Sequence, residues 1–277
     1  MTLKKAFFWS GFWVAAAILF GAGVWYVEGS GKALEFITGY VLELSLSMDN
    51  IFVFLMIFSS FGIPSQYQRR ALNYGIIGAM ILRLIFILVG VALVERFEWI
   101  LYIFGALLVV TAMTIILNKR QEEVHPRDNK VVQLFKRYFP VTDHLDREHF
   151  FVRIDGVLHA TPLFLVLLVI ESSDIMFAID SIPAIFSVTT DPLIIYTSNI
   201  LAIVGLRSFY FVLERMQQVF AYLKQGVGVI LLFTGIKMLL LIVDIHIPIP
   251  IALGFIGGVL IISVLASLLA KKPGEIS

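Results

Sequence analysis

Eight apolar runs, each near the length of a bilayer crossing, leave this chain few ways to fold. They cover about 6–27, 35–59, 71–94, 98–118, 161–187, 193–213, 227–245 and 248–270. A helix needs about 20 such residues to cross about 30 Å of hydrocarbon. Backbone polar groups in lipid must bond within their own segment or close into a barrel, and runs of this length select helices. The fold class is therefore all-α: a polytopic transmembrane helical bundle of about eight spans. Composition agrees, at 59% hydrophobic and 15% charged against about 45–50% and about 25% in soluble domains. Residues 1–277 read as a single membrane domain with little chain left for a soluble unit. A net charge of +1 argues against nucleic acid as a partner, and zero cysteines remove disulfides, thiolate metal ligands and iron–sulfur clusters. Any metal would have to be held mainly by oxygen.

One connection stands out. The polar stretch 119–160 carries eight Lys and Arg residues, offset by seven acids. Basic residues otherwise fall on one side of the eight-span arrangement: Lys4, Lys5, Arg69, Arg70, Arg215, Lys224, Lys271 and Lys272, against Lys32 and Arg96 on the other. The positive-inside bias predicts that both termini and the loop 119–160 are cytoplasmic. The run from Ala6 to Val27 is longer than a signal-peptide core of roughly 7–15 residues and has no clear small-residue cleavage site, so it reads as a span.

Five carboxylates break the apolar runs: Glu43 and Asp49, then Glu171, Asp174 and Asp180. Each costs a few kcal/mol at bilayer depth on insertion scales (about 2.5–3.5 for Asp), so such residues usually face the protein interior and mark ion or proton pathways. Arg83, Arg207 and Lys237 lie within spans too, and each needs a partner for the same reason. Some of the acids can be their counter-ions. The two negative charges left over would suit one divalent cation, protonation, or alternation between the two.

The carboxylates also fall at related places in two halves. Ser47-Met-Asp-Asn-Ile-Phe52 resembles Ser172-Ser-Asp-Ile-Met-Phe177, pairing Asp49 with Asp174. Asn73 and Arg83 correspond loosely to Asn199 and Arg207, and Gly105 to Gly226. The repeat is thus three spans, about 35–118 and about 161–245, with 6–27 and 248–270 additional. An odd number of spans forces the second copy to enter from the opposite side, which is the logic of an inverted repeat with its site near the midplane. Ser45, Ser47 and Asn50 in one signature span, and Ser172, Ser173, Ser181 and Pro183 in the other, suggest discontinuous helices, with a break near Asp180. On a straight helix Glu171 and Asp174 share a face, whereas Asp180 lies half a turn from Glu171. Either the helix unwinds to gather these acids or they line separate points of a path.

Oxygen donors of these kinds suit Mg²⁺, Ca²⁺ and Mn²⁺. Met48 and Met176 stand beside the acids, but methionine in a bundle is more often filler. His125, His144, His149 and His159 lie in or beside the long loop and His246 in a short turn, without the close helical spacing of a zinc site. Glu35 and Asp244 read as interfacial, and Trp9, Trp13 and Trp25 as interface anchors.

Residues 40–50, Tyr-Val-Leu-Glu-Leu-Ser-Leu-Ser-Met-Asp-Asn, and 171–184, Glu-Ser-Ser-Asp-Ile-Met-Phe-Ala-Ile-Asp-Ser-Ile-Pro-Ala, resemble the paired signatures of the TerC/Alx family of bacterial membrane proteins, its Alx-like branch above all. The resemblance extends through His149-Phe-Phe-Val-Arg153, Ala160-Thr-Pro162, Thr190-Asp-Pro192, Thr197-Ser-Asn199 and Gly205-Leu-Arg207. It implies an inner-membrane protein of a family first linked to tellurium resistance and associated with manganese export, with relatives in thylakoids. It makes Glu43, Asp49, Asn50, Glu171, Asp174 and Asp180 metal-path candidates, with Mn²⁺ as the ion and no organic cofactor.

The function expected is a secondary transporter that exports Mn²⁺ through a midplane carboxylate site, with protons as a plausible coupling ion. The alternative is a non-transporting scaffold or metallochaperone that delivers manganese to secreted proteins or acts in a tellurite or stress response. An intramembrane hydrolase lacks its motifs: there is no Gly-x-Gly-Asp, no His-Glu-x-x-His and no nucleophile elbow. We therefore expect no enzyme.

Overall fold

The computed structural model describes residues 3–117, 129–142, 144–213 and 222–269. It contains α1 (Leu3–Glu28), α2 (Ser30–Ser60), α3 (Ser65–Arg96), α4 (Ile100–Leu117), α5 (Lys130–Tyr138), strands β1 (Phe151–Ile154) and β2 (Val157–Ala160), α6 (Pro162–Phe186), α7 (Pro192–Leu213), α8 (Leu223–Leu239) and α9 (Ile249–Leu269). A 3₁₀ turn, Leu240–Val243, extends α8. The expected spans thus appear as helices, with ends shifted by up to several residues.

Seven of these helices are long and apolar enough to cross a membrane by length and composition. α2, with 31 residues, carries polar residues at its centre, Glu43, Ser45, Ser47 and Asn50 among them. Its surroundings explain why that is tolerated. α2 packs against α1, α6, α7, α8 and α9, so much of its surface meets protein rather than lipid. The bundle accordingly buries polar groups within an apolar core and is apolar outside as well. Ile77, Ile81, Ile85 and Leu88 of α3 and Ile251, Ile261 and Leu265 of α9 are exposed, whereas Glu43, Ser47, Asn50, Arg83, Asp174 and Asn199 are buried. A soluble domain rarely buries charged groups in this way or exposes such apolar faces. α1 and α2 are joined through Gly29 alone, at φ +92°, a conformation that glycine adopts without steric cost.

Contacts between the two sets of three helices follow a pattern. α2 packs on α7 and α3 on α6; α2 meets α8 and α4 meets α6; α2 meets α6, α3 meets α7 and α4 meets α8. Exchanging α2, α3 and α4 with α6, α7 and α8 maps this set onto itself. The α4–α8 contact is the tightest of them. A Cβ built on Gly235 would sit 2.8 Å from the Gly105 carbonyl oxygen, so the two backbones touch, as small residues allow in membrane bundles.

The signature helices are continuous, contrary to the expected discontinuity. Pro183 lies inside α6 without ending it: it withholds one bond, to the Ile179 carbonyl, and only the end of the last turn, to Phe186, follows it. Ser181 and Ile182 stay helical ahead of it. α2 likewise runs through Ser45, Ser47 and Asn50 unbroken, with Ser45 Oγ and Ser47 Oγ donating to the Val41 carbonyl and the Glu43 carboxylate four residues back. Those hydroxyls are satisfied within the helix and need no break.

The described part of the long connection is folded. α5 is capped by Asn129, whose side chain accepts from the Val131 amide. β1 and β2 form an antiparallel hairpin pairing Phe151 with Ala160 and Ile154 with Val157. Its turn is Asp155-Gly156, both at positive φ, the chemistry that a two-residue hairpin turn demands. Arg70 near the start of α3 lies over the Phe150 ring, fixing the hairpin to that end of the bundle.

Candidate ion-binding site

α2, α3, α6 and α7 surround a cavity lined by Ser47, Asn50, Arg83 and Asp174 among apolar neighbours. About 20 Å³ is open to the centre of a water-sized sphere, room for one such occupant. Two buried acids lie here, and they differ in what they touch. Glu43 Oε1 is 2.5 Å from Arg83 Nη1 and accepts from Ser47 Oγ at 2.7 Å. Arg83 also donates to Asn199 Oδ1 at 2.6 Å, and Asn199 Nδ2 is held by the Ile195 carbonyl at 2.8 Å. This network ties α2, α3 and α7 together and neutralises its own charge. Asp174 is 7% exposed. It has no ion pair among the described residues.

Glu171 sits one turn before Asp174 on a neighbouring face of α6 and is half-buried. Its carboxylate occupies the space that a side chain on Gly78 of α3 would fill, since a Cβ there would overlap the carboxyl oxygens. Gly78 is therefore a seat for Glu171. Next to it, Ser172 Oγ accepts from Asn129 Nδ2 at 3.0 Å, so the cap residue of α5 reaches a membrane helix beside the acids. Beyond Asp174 toward the hairpin end, buried Tyr210 closes the cavity, donating to Gln68 Oε1 at 2.8 Å.

Asp180 is elsewhere. It accepts from Thr111 Oγ1 of α4 at 3.0 Å and lines a second cavity with Leu46, Asn50, Ile115, Phe177, Ser181, Val227 and Leu231. That cavity lies among α2, α4, α6 and α8, across the α2–α6 contact from the first. Asn50 borders both. A continuous α6 separates Asp174 from Asp180 by about 9 Å along its axis and about 120° around it. The acids thus line separate points, and among the described residues no three His, Asp or Glu side chains come close enough to hold a metal ion together.

Lys237 is not the counter-ion that the sequence suggested. Its Nζ donates to the Ser187 carbonyl at 2.8 Å, at the C-terminal end of α6, where exposed carbonyls carry partial negative charge. A helix end thus partners the cation in place of a carboxylate. Asp49 lies on α2 and Arg207 on α7, but their side chains fall outside the described residues, as does His125.

At the opposite end of the bundle, Lys32 at the start of α2 bridges Glu35 at 2.9 Å and Asp191 at 3.0 Å. Thr189 Oγ1 donates to Glu35 at 2.6 Å. The cluster joins α2 to the α6–α7 connection. Partial burial works against ionisation of Asp191, but the Lys32 hydrogen bond and the Ile194 and Leu193 amides outweigh it and hold its carboxyl below the ordinary range. Burial likewise opposes the Lys32 charge, and the hydrogen bonds to Glu35 and Asp191 more than offset it, raising the ammonium above its usual value.

The sequence profile of the integral membrane protein TerC family matches residues 28–275. The chain belongs to the TerC family. A relative from Escherichia coli strain K12, named membrane-bound redox modulator Alx (a provisional name), is 49% identical over 272 residues, covering 95% of this chain and 84% of its own. An uncharacterised membrane protein of Myxococcus xanthus is 46% identical over 275 residues, covering 99% of this chain and 85% of its own. The chloroplast thylakoid membrane protein TERC of Arabidopsis thaliana is 42% identical over 271 residues, covering 98% and 70%. No solved structure matches. The Alx-like branch suggested by the signatures is thus supported.

Sequence reasoning passed over Gly78, Thr111, Asn129 and Tyr210. The Gly75-x-x-Gly78 spacing in an apolar helix was a usable sign of close approach. Thr111 and Asn129 carry no local signal, because their partners are distant in sequence.

Proposed function

We propose that this TerC family chain is a secondary transporter that exports a divalent metal ion, Mn²⁺ in our reading, across the bacterial inner membrane. One observation carries the proposal: Asp174 is buried at mid-helix beside a largely apolar cavity that Ser47 and Asn50 also line, without an ion pair among the described residues, while Glu43 beside it is already neutralised by Arg83. A buried acid without a paired cation is costly unless a proton or a transported cation completes it. Glu171 and Asp174 together supply two negative charges. Asn50 and Ser47 add neutral oxygens of the hard kind that Mn²⁺ accepts. The choice of Mn²⁺ rests on the family resemblance.

The fold suits alternating access. In this reading α2–α4 and α6–α8 are inverted repeats, α2 is the eighth span, and both termini and the hairpin end face the cytoplasm. The exchange-symmetric packing supports that reading. The ion passes Asn129 and Glu171 from the cytoplasmic end and reaches Asp174, while the Lys32–Asp191 cluster closes the outer end. The name redox modulator carried by the Alx relatives is compatible with this role. With no cysteine of its own, this chain would alter redox balance through the metal it moves.

The test is Mn²⁺ uptake into proteoliposomes containing an internal Mn²⁺-quenched dye. Wild-type protein should give flux that Asp174→Asn lowers by at least about 100-fold, with folding intact by thermal unfolding. Folded protein that binds Mn²⁺ but moves none would favour the scaffold or metal-delivery role.

A further inference from the structure

The second cavity has the chemistry of an ion site of its own. About 40 Å³ of it is open to the centre of a water-sized sphere. Among the described residues it holds one carboxylate, Asp180, with Thr111 hydrogen-bonded to it. Ser181 is 3% exposed, borders the cavity, and its hydroxyl has no hydrogen-bond partner among the described residues. A buried hydroxyl without a partner is rare and needs a reason, such as an ion or water that is not part of the chain. The amide of Asn50 completes a set of neutral oxygens. The remaining lining, Leu46, Ile115, Phe177, Val227 and Leu231, is apolar.

We propose that this cavity binds a single sodium ion, the coupling ion of the transporter, separately from the divalent site at Asp174. Charge decides the valence. In an apolar pocket an ion must be close to neutralised, and the one carboxylate among the described residues, with the neutral oxygens of Asn50 and Ser181, neutralises a monovalent cation and leaves a divalent one half-compensated. Ligand type decides the class, because carboxylate, amide and hydroxyl oxygens are hard donors. Position supplies the coupling. Asn50 borders both cavities from the α2–α6 contact, so an ion that draws its amide to one side removes it from the other. Sodium entering at Asp180 thereby weakens the hold on the metal at Asp174, the reciprocity that any exchange requires. The coupling role rests on the transport reading above; the sodium site does not.

The experiment is equilibrium binding of ²²Na⁺ to purified wild-type protein in detergent, with K⁺ as the background salt, alongside Mn²⁺ binding to the same preparation. Wild type should bind one Na⁺ saturably, and saturating Mn²⁺ should lower its affinity without displacing it stoichiometrically. Asp180→Asn should abolish Na⁺ binding. Ser181→Ala, which removes a hydroxyl without a hydrogen bond among the described residues, should weaken Na⁺ binding about tenfold, the equivalent of about 1.4 kcal/mol, without altering thermal unfolding. Absence of saturable Na⁺ binding in protein that still binds Mn²⁺ overturns the proposal and leaves the transport reading standing. So does stoichiometric displacement of Na⁺ by Mn²⁺, or unchanged binding in folded Ser181→Ala. Na⁺ binding in protein that shows no Mn²⁺ binding sustains the site and removes the transport reading instead.

Discussion

Glu43 and Asp174 occupy matching middles of α2 and α6, are buried to within a few per cent of each other, and carry the same charge, yet they do opposite things. Glu43 is bound by Arg83 and Ser47; Asp174 faces a cavity. Burial alone therefore does not mark an ion path in this bundle. What marks it is a carboxylate that no cation among the described residues pairs with. The network around Glu43 has a role in that distinction, because it fixes Arg83 against α2 and α7 and keeps the cation from collapsing onto Asp174.

The sharpest way to break the comparison is to remove each charge in turn. Glu43→Gln leaves a buried guanidinium without its anion and should cost about 3–5 kcal/mol of stability, seen as a large drop in Tm in detergent. Adding Arg83→Met should recover much of that loss, since the two residues act as one unit. Asp174→Asn should do the reverse, leaving Tm unchanged or raised while ending Mn²⁺ flux. Equal destabilisation by both single variants would put Asp174 in a structural ion-pair network and remove the contrast.

A smaller effect is expected at Gly78. Gly78→Ala places a methyl where the Glu171 carboxylate lies, and that side chain must swing aside. Flux at low Mn²⁺ should fall about tenfold, a cost of about 1.4 kcal/mol, chiefly through KM, because the ion loses a carboxylate on its approach and not the central one. A change confined to maximal rate would mean that Glu171 acts after Asp174 rather than before it.

Much of this architecture was legible in the sequence, for a physical reason: lipid leaves helices as the fold for such runs, so apolar length alone marks the spans. The acids were legible too, because charge in an apolar run is rare. Their grouping was not. Whether Glu171, Asp174 and Asp180 converge depends on whether α6 breaks at Pro183, and a proline in a final turn removes too little hydrogen bonding to break it. Lys237 misled for a related reason. An intramembrane cation needs a partner, but sequence spacing cannot distinguish a carboxylate from the carbonyl end of a neighbouring helix such as that at Ser187. Arg83 was foreseeable as a paired charge, and its choice of Glu43 and Asn199 was set by the way α3 lies between α2 and α7.

The smallest expected effect concerns the outer cluster, and it sharpens the contrast between the ends of the molecule. Asp191 has its carboxyl held low in the folded protein, so its contribution is complete above the unfolded value of about 3.9 and disappears as pH falls through the lower folded one. Lys32 is raised; its contribution is complete below the unfolded value of about 10.4 and disappears as pH rises through the higher folded one. Between about pH 5 and 9 the cluster is constant. Lys32 and Asp191 are partly exposed, so the pair is worth about 1 kcal/mol or less. Asp191→Asn should therefore shift Tm by a small amount that does not vary across that range, and should modestly raise the accessibility of a cysteine placed at Ile194 to aqueous reagents. Any steep pH dependence of flux near neutrality then arises outside this cluster. If instead Asp191→Asn itself abolishes such a dependence, the outer cluster is the proton-sensitive element, and the interior acids serve the cation alone.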